Sequence, residues 1–156
     1  MADEMYKNQE IIAKNNFEDN FYNELLYLKS NKLIVEENNE LQFFHQTFYD
    51  YCFSRQFVEN GGILEEFLKE NEQSLYVRSV VKMVIEYLRE YNLKQYIKTC
   101  SVILSSSKYR FHIKTLIIQT WGSIKKPQRE EKEFASSTLL KNKDYKEVFI
   151  NSIYSK

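Results

Sequence analysis

Glycine and proline most constrain what this chain can fold into, because both are nearly missing. The 156-residue sequence holds three Gly and one Pro, against averages of about 7% and 5% in proteins generally. Tight turns between short strands depend on these residues, so long helices are favoured and an all-β fold is disfavoured. Hydrophobic residues make up 43% and aromatic residues 15%, which is too apolar for an intrinsically disordered chain. The sequence therefore predicts an ordered, mainly α protein.

The part of the chain after Asn60-Gly61-Gly62 is predicted to be helical throughout. Asn and Gly tolerate the left-handed backbone that ends a helix, so this triplet is the predicted boundary between two domains, 1–60 and 61–156. Apolar residues beyond it recur at helical spacing and the loops are very short. The predicted helices span 63–72, 75–91, 93–105, 108–122, 127–140 and 143–154.

An internal repeat of 32 residues runs through these helices. The segment VRSVVKMVIEYL at 77–88 aligns with YRFHIKTLIIQT at 109–120, and the pattern apolar–Lys–x–apolar–apolar returns at 145–149. Helix pairs repeating at such a period are typical of α-solenoids. We therefore expect an antiparallel helical-repeat bundle of the HEAT or TPR kind. The matched positions are Arg78 with Arg110, Val81 with Ile113 and Tyr145, Lys82 with Lys114 and Lys146, Val84 with Leu116 and Val148, and Ile85 with Ile117 and Phe149.

The first third of the chain has a different organisation. Residues 1–16 are polar with one short apolar patch and are expected to form a frayed or docking helix. A clear amphipathic helix follows, with one apolar face. The residues of that face are Phe17, Phe21, Leu25 and Leu28.

A β-hairpin is predicted next. Leu33–Val35 form a β-branched run, 37–39 supply turn residues, and alternation resumes from Leu41 to His45. From Thr47 the period is again helical, and aromatic residues occupy two stripes, so burial on two sides is expected. A small hairpin directly after a helix is the pattern of a winged helix. The stripes are Phe48, Tyr51, Cys52, Arg55 and Gln56 on one side and Tyr49, Phe53 and Phe57 on the other.

Complete catalytic or metal-binding constellations are missing from the sequence, so no enzymatic activity is predicted. His45 and Cys52 are the nearest approach to a nucleophile with a base, and His112 lies in an apolar stretch typical of a structural role. There is no Gly-rich phosphate loop. Adjacent carboxylates point apart on a helix, so these pairs are expected on solvated faces. The pairs are Glu36 with Glu37, Glu65 with Glu66, and Glu130 with Glu131.

Charge and hydropathy argue against nucleic-acid and membrane partners. Basic and acidic residues both number 22, so no global field attracts phosphates. The basic stretch 125–129 is followed directly by three glutamates, the last of them Glu133, which offset its charge. The turn EENNE is acidic, whereas the wing of a DNA-binding winged helix is usually basic. No apolar run approaches the ~18 residues of a membrane span. Two widely spaced cysteines, Cys52 and Cys100, fit a cytoplasmic protein with reduced thiols.

The run KLIVEENNELQFFHQTFYDYCFSRQFV, residues 32–58, resembles the end of the winged-helix domain in STAND-type signalling ATPases, especially the NACHT branch. The pattern apolar–x–His–x–x–Phe–x–x–aromatic is matched by Phe43, His45, Phe48 and Tyr51. The resemblance implies a winged helix followed by superhelical sensor repeats. It also implies that His45 contacts the phosphates of ADP held by an NTPase core and helps to keep the protein closed.

No P-loop core is present in this sequence, so the resemblance implies a fragment or a degenerate relative. ADP or ATP would then be bound only with a core in the same or another chain. The implied function is a non-catalytic regulatory and sensor part of a NACHT/STAND-like ATPase, recognising a protein ligand in bacterial defence against phage.

Two other functions stay open at the level of sequence. One is a free-standing helical-repeat adaptor that binds a protein partner without any nucleotide. Its contacts would come from tyrosines, which favour protein interfaces. The other is a winged-helix transcription regulator, which the acidic wing disfavours. The candidate tyrosines are Tyr76, Tyr87, Tyr91 and Tyr96.

Overall fold

The chain is mainly helical, as the scarcity of Gly and Pro predicts, and its described residues include a small antiparallel sheet. A computed structural model describes residues 2–7, 10, 12–16 and 21–155. The chain divides into two compact units, Met1–Gly61 and Gly62–Lys156. Each unit is described by itself below.

The first unit alternates helices and short strands. It contains the helices α1, α2 and α3 and a three-stranded sheet, with one strand before α2 in the chain and two strands after it. In chain order the elements are α1 (Ala2–Lys7), β1 (Ile12–Lys14), α2 (Tyr22–Ser30), β2 (Ile34–Glu37), β3 (Glu40–Phe43) and α3 (Gln46–Glu59).

The predicted hairpin is present as β2 and β3, joined by a two-residue turn. Asn38 and Asn39 both have positive φ, at 52° and 64°. A tight hairpin turn of this kind needs two left-handed residues, and Asn is the residue after Gly that adopts this conformation most readily. The turn therefore closes without the glycine that its sequence lacks.

A third strand, β1, joins the sheet in the order β1-β3-β2, with both pairs antiparallel. Ala13 lies opposite Leu41 and Ile12 opposite Gln42. The prediction that residues up to 16 are helical is wrong here, because α1 ends at Lys7 and residues 12–14 are extended. The free edge of β3 offers backbone partners that a three-residue segment can use in place of helical hydrogen bonds.

The core of the first unit lies between α1, α3 and the sheet. Leu41 and Ile34 are buried from the hairpin side. Tyr6 of α1 stacks on Phe53 of α3, with ring centroids 4.2 Å apart. Tyr49, also buried, completes this aromatic layer on the same face of α3.

The expectation that α3 is buried on both sides is wrong. The stripe that contains Tyr49 and Phe53 is buried, whereas Tyr51 and Arg55 on the other side are exposed. Arg55 pairs with Glu59 one turn later, with Nε and Oε1 3.0 Å apart. The first stripe therefore builds the core. In the second stripe, Phe48 and Cys52 are half-buried and the rest is exposed.

Helix α2 also differs from its prediction, because none of its residues is buried. Phe21, at its start, is 57% exposed, and Leu25 and Leu28 are only half-buried. Phe17 lies outside the described residues. The predicted apolar face of α2 is thus largely exposed to solvent, because β2 is the main element of the first unit that packs against α2.

The second unit consists of helices joined by short connections. Helices α6 and α9 begin and end where the sequence predicts. The helix predicted over 108–122 begins three residues later, and the one predicted over 127–140 changes from α to π geometry after Phe134. The elements are α4 (Leu64–Glu70), a 3-10 turn (Leu75–Val77), α5 (Arg78–Tyr91), α6 (Leu93–Ser105), α7 (Phe111–Gly122), α8 (Arg129–Phe134), a π turn (Ala135–Leu139) and α9 (Lys143–Tyr154).

The three copies of the 32-residue pattern fall on α5, α7 and α9. The first apolar position of the pattern is buried in every copy, at Val81, Ile113 and Tyr145. Helix α7 packs against both α5 and α9. The burial of the first apolar position is therefore the same in all three copies, whereas the middle apolar position is buried at Val84 and Leu116 but only half-buried at Val148. The last apolar position is buried as well, at Ile85, Ile117 and Phe149, whereas the lysines of the pattern are exposed or half-buried.

Helix α8 is tied to α5 by an ion pair that the sequence does not reveal. Arg89 Nε lies 2.5 Å from Glu131 Oε1, and Nη2 lies 2.9 Å from Oε2. Glu131 is only 1% exposed and also accepts the Gln128 N–H at 2.8 Å, which caps the helix. Burial raises the pKa of Glu131, but the Arg89 hydrogen bonds and the Gln128 N–H outweigh it and bring the pKa below its ordinary value.

Two buried tyrosines of this unit provide a matched test of hydrogen bonding in the core. The Tyr145 hydroxyl donates to Leu104 O at 2.6 Å, whereas the Tyr96 hydroxyl has no partner among the described residues. Losing a buried hydrogen bond costs about 1 kcal/mol, while removing an unsatisfied polar group is neutral or favourable. We expect Tyr145→Phe to lower the free energy of unfolding by about 1 kcal/mol, and Tyr96→Phe to leave it unchanged or raise it. Urea unfolding measures both, and equal losses would contradict the structure.

Candidate functional site

His45 lies at the junction of the hairpin and α3, where it is the N-cap residue of the helix. Its backbone is extended (φ −120°, ψ 126°), and its carbonyl accepts the N–H groups of Phe48 at 3.0 Å and Tyr49 at 3.2 Å. The side chain does not cap the helix and is exposed. The chain therefore fixes the His45 backbone firmly and leaves its imidazole at the surface.

Among the described residues, the imidazole makes a ring contact but no hydrogen bond or ion pair. The Phe44 ring meets it edge-on, with centroids 4.6 Å apart. Below it, the first turn of α3 is held by Gln46, whose Nε2 donates to Oδ1 of the buried Asp50 at 2.9 Å. An imidazole that is not engaged elsewhere can donate to or accept from a ligand.

Cys52 does not form a catalytic pair with His45. The two residues are seven positions apart along α3, which corresponds to about 10 Å of helix rise and exceeds hydrogen-bonding reach. Partial burial raises the pKa of the Cys52 thiol, and the nearby Arg55 charge offsets this only in part. A thiol with a raised pKa is a weak nucleophile. Cys100 is more strongly affected, since burial raises its pKa to about 12.

The tip of the hairpin is acidic and forms a shallow cavity of about 310 Å³. Glu36 is held by Lys29 and by Asn15, whose Nδ2 donates to Oε1 at 2.5 Å. The hydrogen bonds from Lys29 and then Asn15 lower the pKa of Glu36, so it stays charged. Such a surface repels a phosphate backbone. The cavity is lined by Ile12, Val35, Glu36, Glu37, Asn38, Glu40 and Gln42.

The candidate residues of the second unit are placed differently from one another. His112 is half-buried in the first turn of α7, and its Nε2 has no partner among the described residues. Tyr76 and Tyr91 are exposed, whereas Tyr96 is fully buried and stacked on Trp121 at 5.1 Å. Tyr96 is thus a core residue, and the prediction that it contributes to a contact surface is wrong.

Glu131 corrects the prediction made for the carboxylate pairs. Glu36, Glu37, Glu66 and Glu130 are exposed, as expected for solvated faces, whereas Glu65 is half-buried. Glu131 is instead buried in the ion pair with Arg89. The sequence signal that could have found it is the spacing of Gln128 and Glu131, which is that of a capping box. No signal in the sequence identifies its arginine partner.

The described residues contain no cluster of His, Cys, Asp or Glu that could hold a metal ion. Across the same residues, no helix is both long and apolar enough to cross a membrane. Comparison with protein-family models, with curated proteins and with solved structures finds no match to this chain.

Proposed function

We propose that this chain is a non-catalytic regulatory and sensor part of a NACHT/STAND-like signalling ATPase. The observation that carries the proposal is His45, an exposed imidazole directly after a hairpin, whose backbone carbonyl accepts two N–H groups of the helix that begins there. The sheet order β1-β3-β2, with one strand before α2 and two after it, supports a winged-helix-like first unit. Among the described residues, α2 is the helix that connects β1 to β2.

In this role the second unit is an α-solenoid that senses a protein ligand, for example a phage protein. Repeated helices α5, α7 and α9 with matching buried positions support this arrangement. Each helix pair of a solenoid contacts only its neighbours, which produces an extended surface suited to protein binding. A ligand that binds the open form better than the closed form shifts the equilibrium toward signalling.

The nucleotide is held by an NTPase core outside this sequence, and His45 contributes one contact. An imidazole N–H can donate to a phosphate oxygen of ADP, and that bond is strongest when the imidazole is cationic. The ring contact of His45 is with Phe44, and His45 is the one element of a phosphate site that we assign to this chain. His45 would thus stabilise closure without forming the binding site.

The test is the release of ADP from a protein that joins this chain to its P-loop core. Losing a hydrogen bond to a charged group costs about 1.5–3 kcal/mol, so His45→Ala should speed ADP release about tenfold or more and raise basal signalling. Thr47→Ala, an exposed change in the first turn of the same helix, serves as the control. Unchanged ADP retention in His45→Ala would reject the phosphate contact.

A free-standing adaptor is the second candidate, and the exposure of Tyr76 and Tyr91 favours it. Exposed tyrosines supply rigid contact area at low entropic cost. If the chain is an adaptor, its affinity for the partner should be the same with and without ADP. The His45→Ala substitution should also leave that affinity unchanged. An in-frame P-loop sequence next to this one would favour the ATPase role instead.

A further inference from the structure

The second unit contains an open surface cavity of about 620 Å³ that none of the functions above uses. It lies between α4, the turn that follows it, and the connection between α6 and α7. Its volume is in the range of about 300–1,000 Å³ typical of ligand pockets. The lining residues are Glu65, Glu66, Lys69, Glu72, Gln73, Lys108, Tyr109 and Arg110.

The turn on one side of this cavity is strained and held in place. Glu72 and Gln73 both have φ of 51°, a left-handed conformation that costs energy for residues other than Gly. Gln73 spans the gap to the opposite side: its Nε2 donates to Lys108 O at 2.9 Å, and its Oε1 accepts the Arg110 N–H at 2.6 Å. One side chain thus fixes both sides of the cavity relative to each other.

Six charged side chains line the cavity, three acidic and three basic, and none of them pairs with another described residue. Elsewhere in this unit, opposite charges within reach do pair, as in Arg89 with Glu131. Unpaired charges of both signs in a fixed cavity leave complementary groups for a ligand that itself carries both signs.

Glu65 differs from the other two acidic residues of the cavity, because it is half-buried whereas Glu66 and Glu72 are exposed. One of its oxygens, Oε2, is shielded from solvent and has no partner among the described residues. A partly desolvated carboxylate without a counterion attracts a cation more strongly than one in water. The pKa of Tyr109, which lines the same cavity, is raised by burial and then by the charge of Glu65.

We propose that this cavity binds a peptide segment that presents an arginine to Glu65 and Tyr109 and carboxylates to Lys69, Lys108 and Arg110. A guanidinium donates to a carboxylate and stacks on an aromatic ring at the same time, which an ammonium does less well. The flanking carboxylates neutralise the three basic groups, which would repel an isolated cation. This proposal rests on the protein-binding part of the proposed function and specifies the partner chemistry.

The test uses the intact chain and two blocked peptides, acetyl-Glu-Arg-Glu-amide and the same peptide with citrulline in place of arginine. Backbone amide NMR at low salt should show saturable shifts for residues 65–73 and 106–112 with the arginine peptide. Citrulline keeps the shape but lacks the charge, so it should bind at least about tenfold more weakly.

Glu65→Gln should weaken binding of the arginine peptide by a similar factor. Glu147 is exposed on α9, and the control substitution Glu147→Gln should leave binding unchanged. Equal binding of the two peptides to the unmodified protein, or the lack of saturable shifts, would overturn the proposal, and neither result depends on a variant that must fold. Because His45 and ADP play no part in this experiment, its failure is distinguishable from failure of the ATPase role.

Discussion

Replacing Arg89 by Met is expected to lower the free energy of unfolding by about 3–5 kcal/mol, a large share of the stability of a small domain. The change removes the partner of Glu131, which is 1% exposed, and leaves a carboxylate buried without a counterion. Met preserves most of the aliphatic length of arginine, so the loss reports the charge rather than a cavity. Denaturant unfolding with circular dichroism measures it.

Arg129→Met is the matched control for this prediction. Arg129 pairs with Glu133 at 2.9 Å on the exposed surface of α8, and pairs of this kind contribute about 0–1 kcal/mol. Adding Glu131→Gln to Arg89→Met should recover part of the loss, because the unpaired charge is then removed. A similar loss from Arg89→Met and Arg129→Met would show that Glu131 is not buried as described.

The pH dependence of the Arg89 variant should have the opposite sign to that of the unmodified protein. The pKa of Glu131 is lowered in the folded state, so its stabilisation is present above the unfolded value of about 4.5 and is lost as the pH falls through the folded value. Without Arg89, the Gln128 N–H still lowers the pKa of Glu131, but burial has the larger effect and raises it. We therefore expect the deficit of Arg89→Met to shrink as the pH is lowered from 7 toward 4.

Gly122→Ala is expected to destabilise the protein by about 1–3 kcal/mol, although the same change inside a helix ordinarily stabilises it by about 0.5–1 kcal/mol. A Cβ on Gly122 would overlap the Ser152 hydroxyl, lie 2.7 Å from Ser152 Cβ, and lie 3.2 Å from the Phe149 carbonyl oxygen. Helices α7 and α9 approach each other closely at this point, so the added methyl group must push them apart.

The double variant Gly122→Ala with Ser152→Gly tests the cause of that loss. Removing the Ser152 side chain makes room for the new methyl group, so the double variant should be more stable than the sum of the single effects predicts. Thermal unfolding of the four proteins gives the coupling energy. Strict additivity would mean that the two helices do not meet at Gly122.

The sequence predicts the helices of the second unit well, because their periodicity is local. Residues 93–105 and 143–154 are helical over the predicted span. Predicted ends fail where a contact distant in sequence decides the backbone. Arg110 is one such case, because its N–H is taken by Gln73 and α7 begins only at Phe111. Strand β1 is another, since three residues have no detectable period and become extended only by pairing with β3.

The candidate site residues can likewise be picked out from the sequence, but their exposure is decided by contacts distant in sequence. The sequence singles out His45 by the pattern around it, and the structure adds that its side chain is exposed while its backbone is fixed. Tyr91 and Tyr96 cannot be told apart by composition, yet one is exposed and the other is stacked on Trp121 in the core. The cavity at Gln73 has no signature in the sequence, because it joins two segments 35 residues or more apart.

By itself the sequence determines the mainly helical character, the hairpin and the 32-residue repeat, because each depends on neighbours within one or two turns of chain or on a fixed period. The tertiary structure alone decides which face of α3 is buried, that Glu131 pairs with Arg89, and that Gly122 lies against Ser152. These depend on which surfaces meet, and burial and the loss of solvent then fix the energy of each contact.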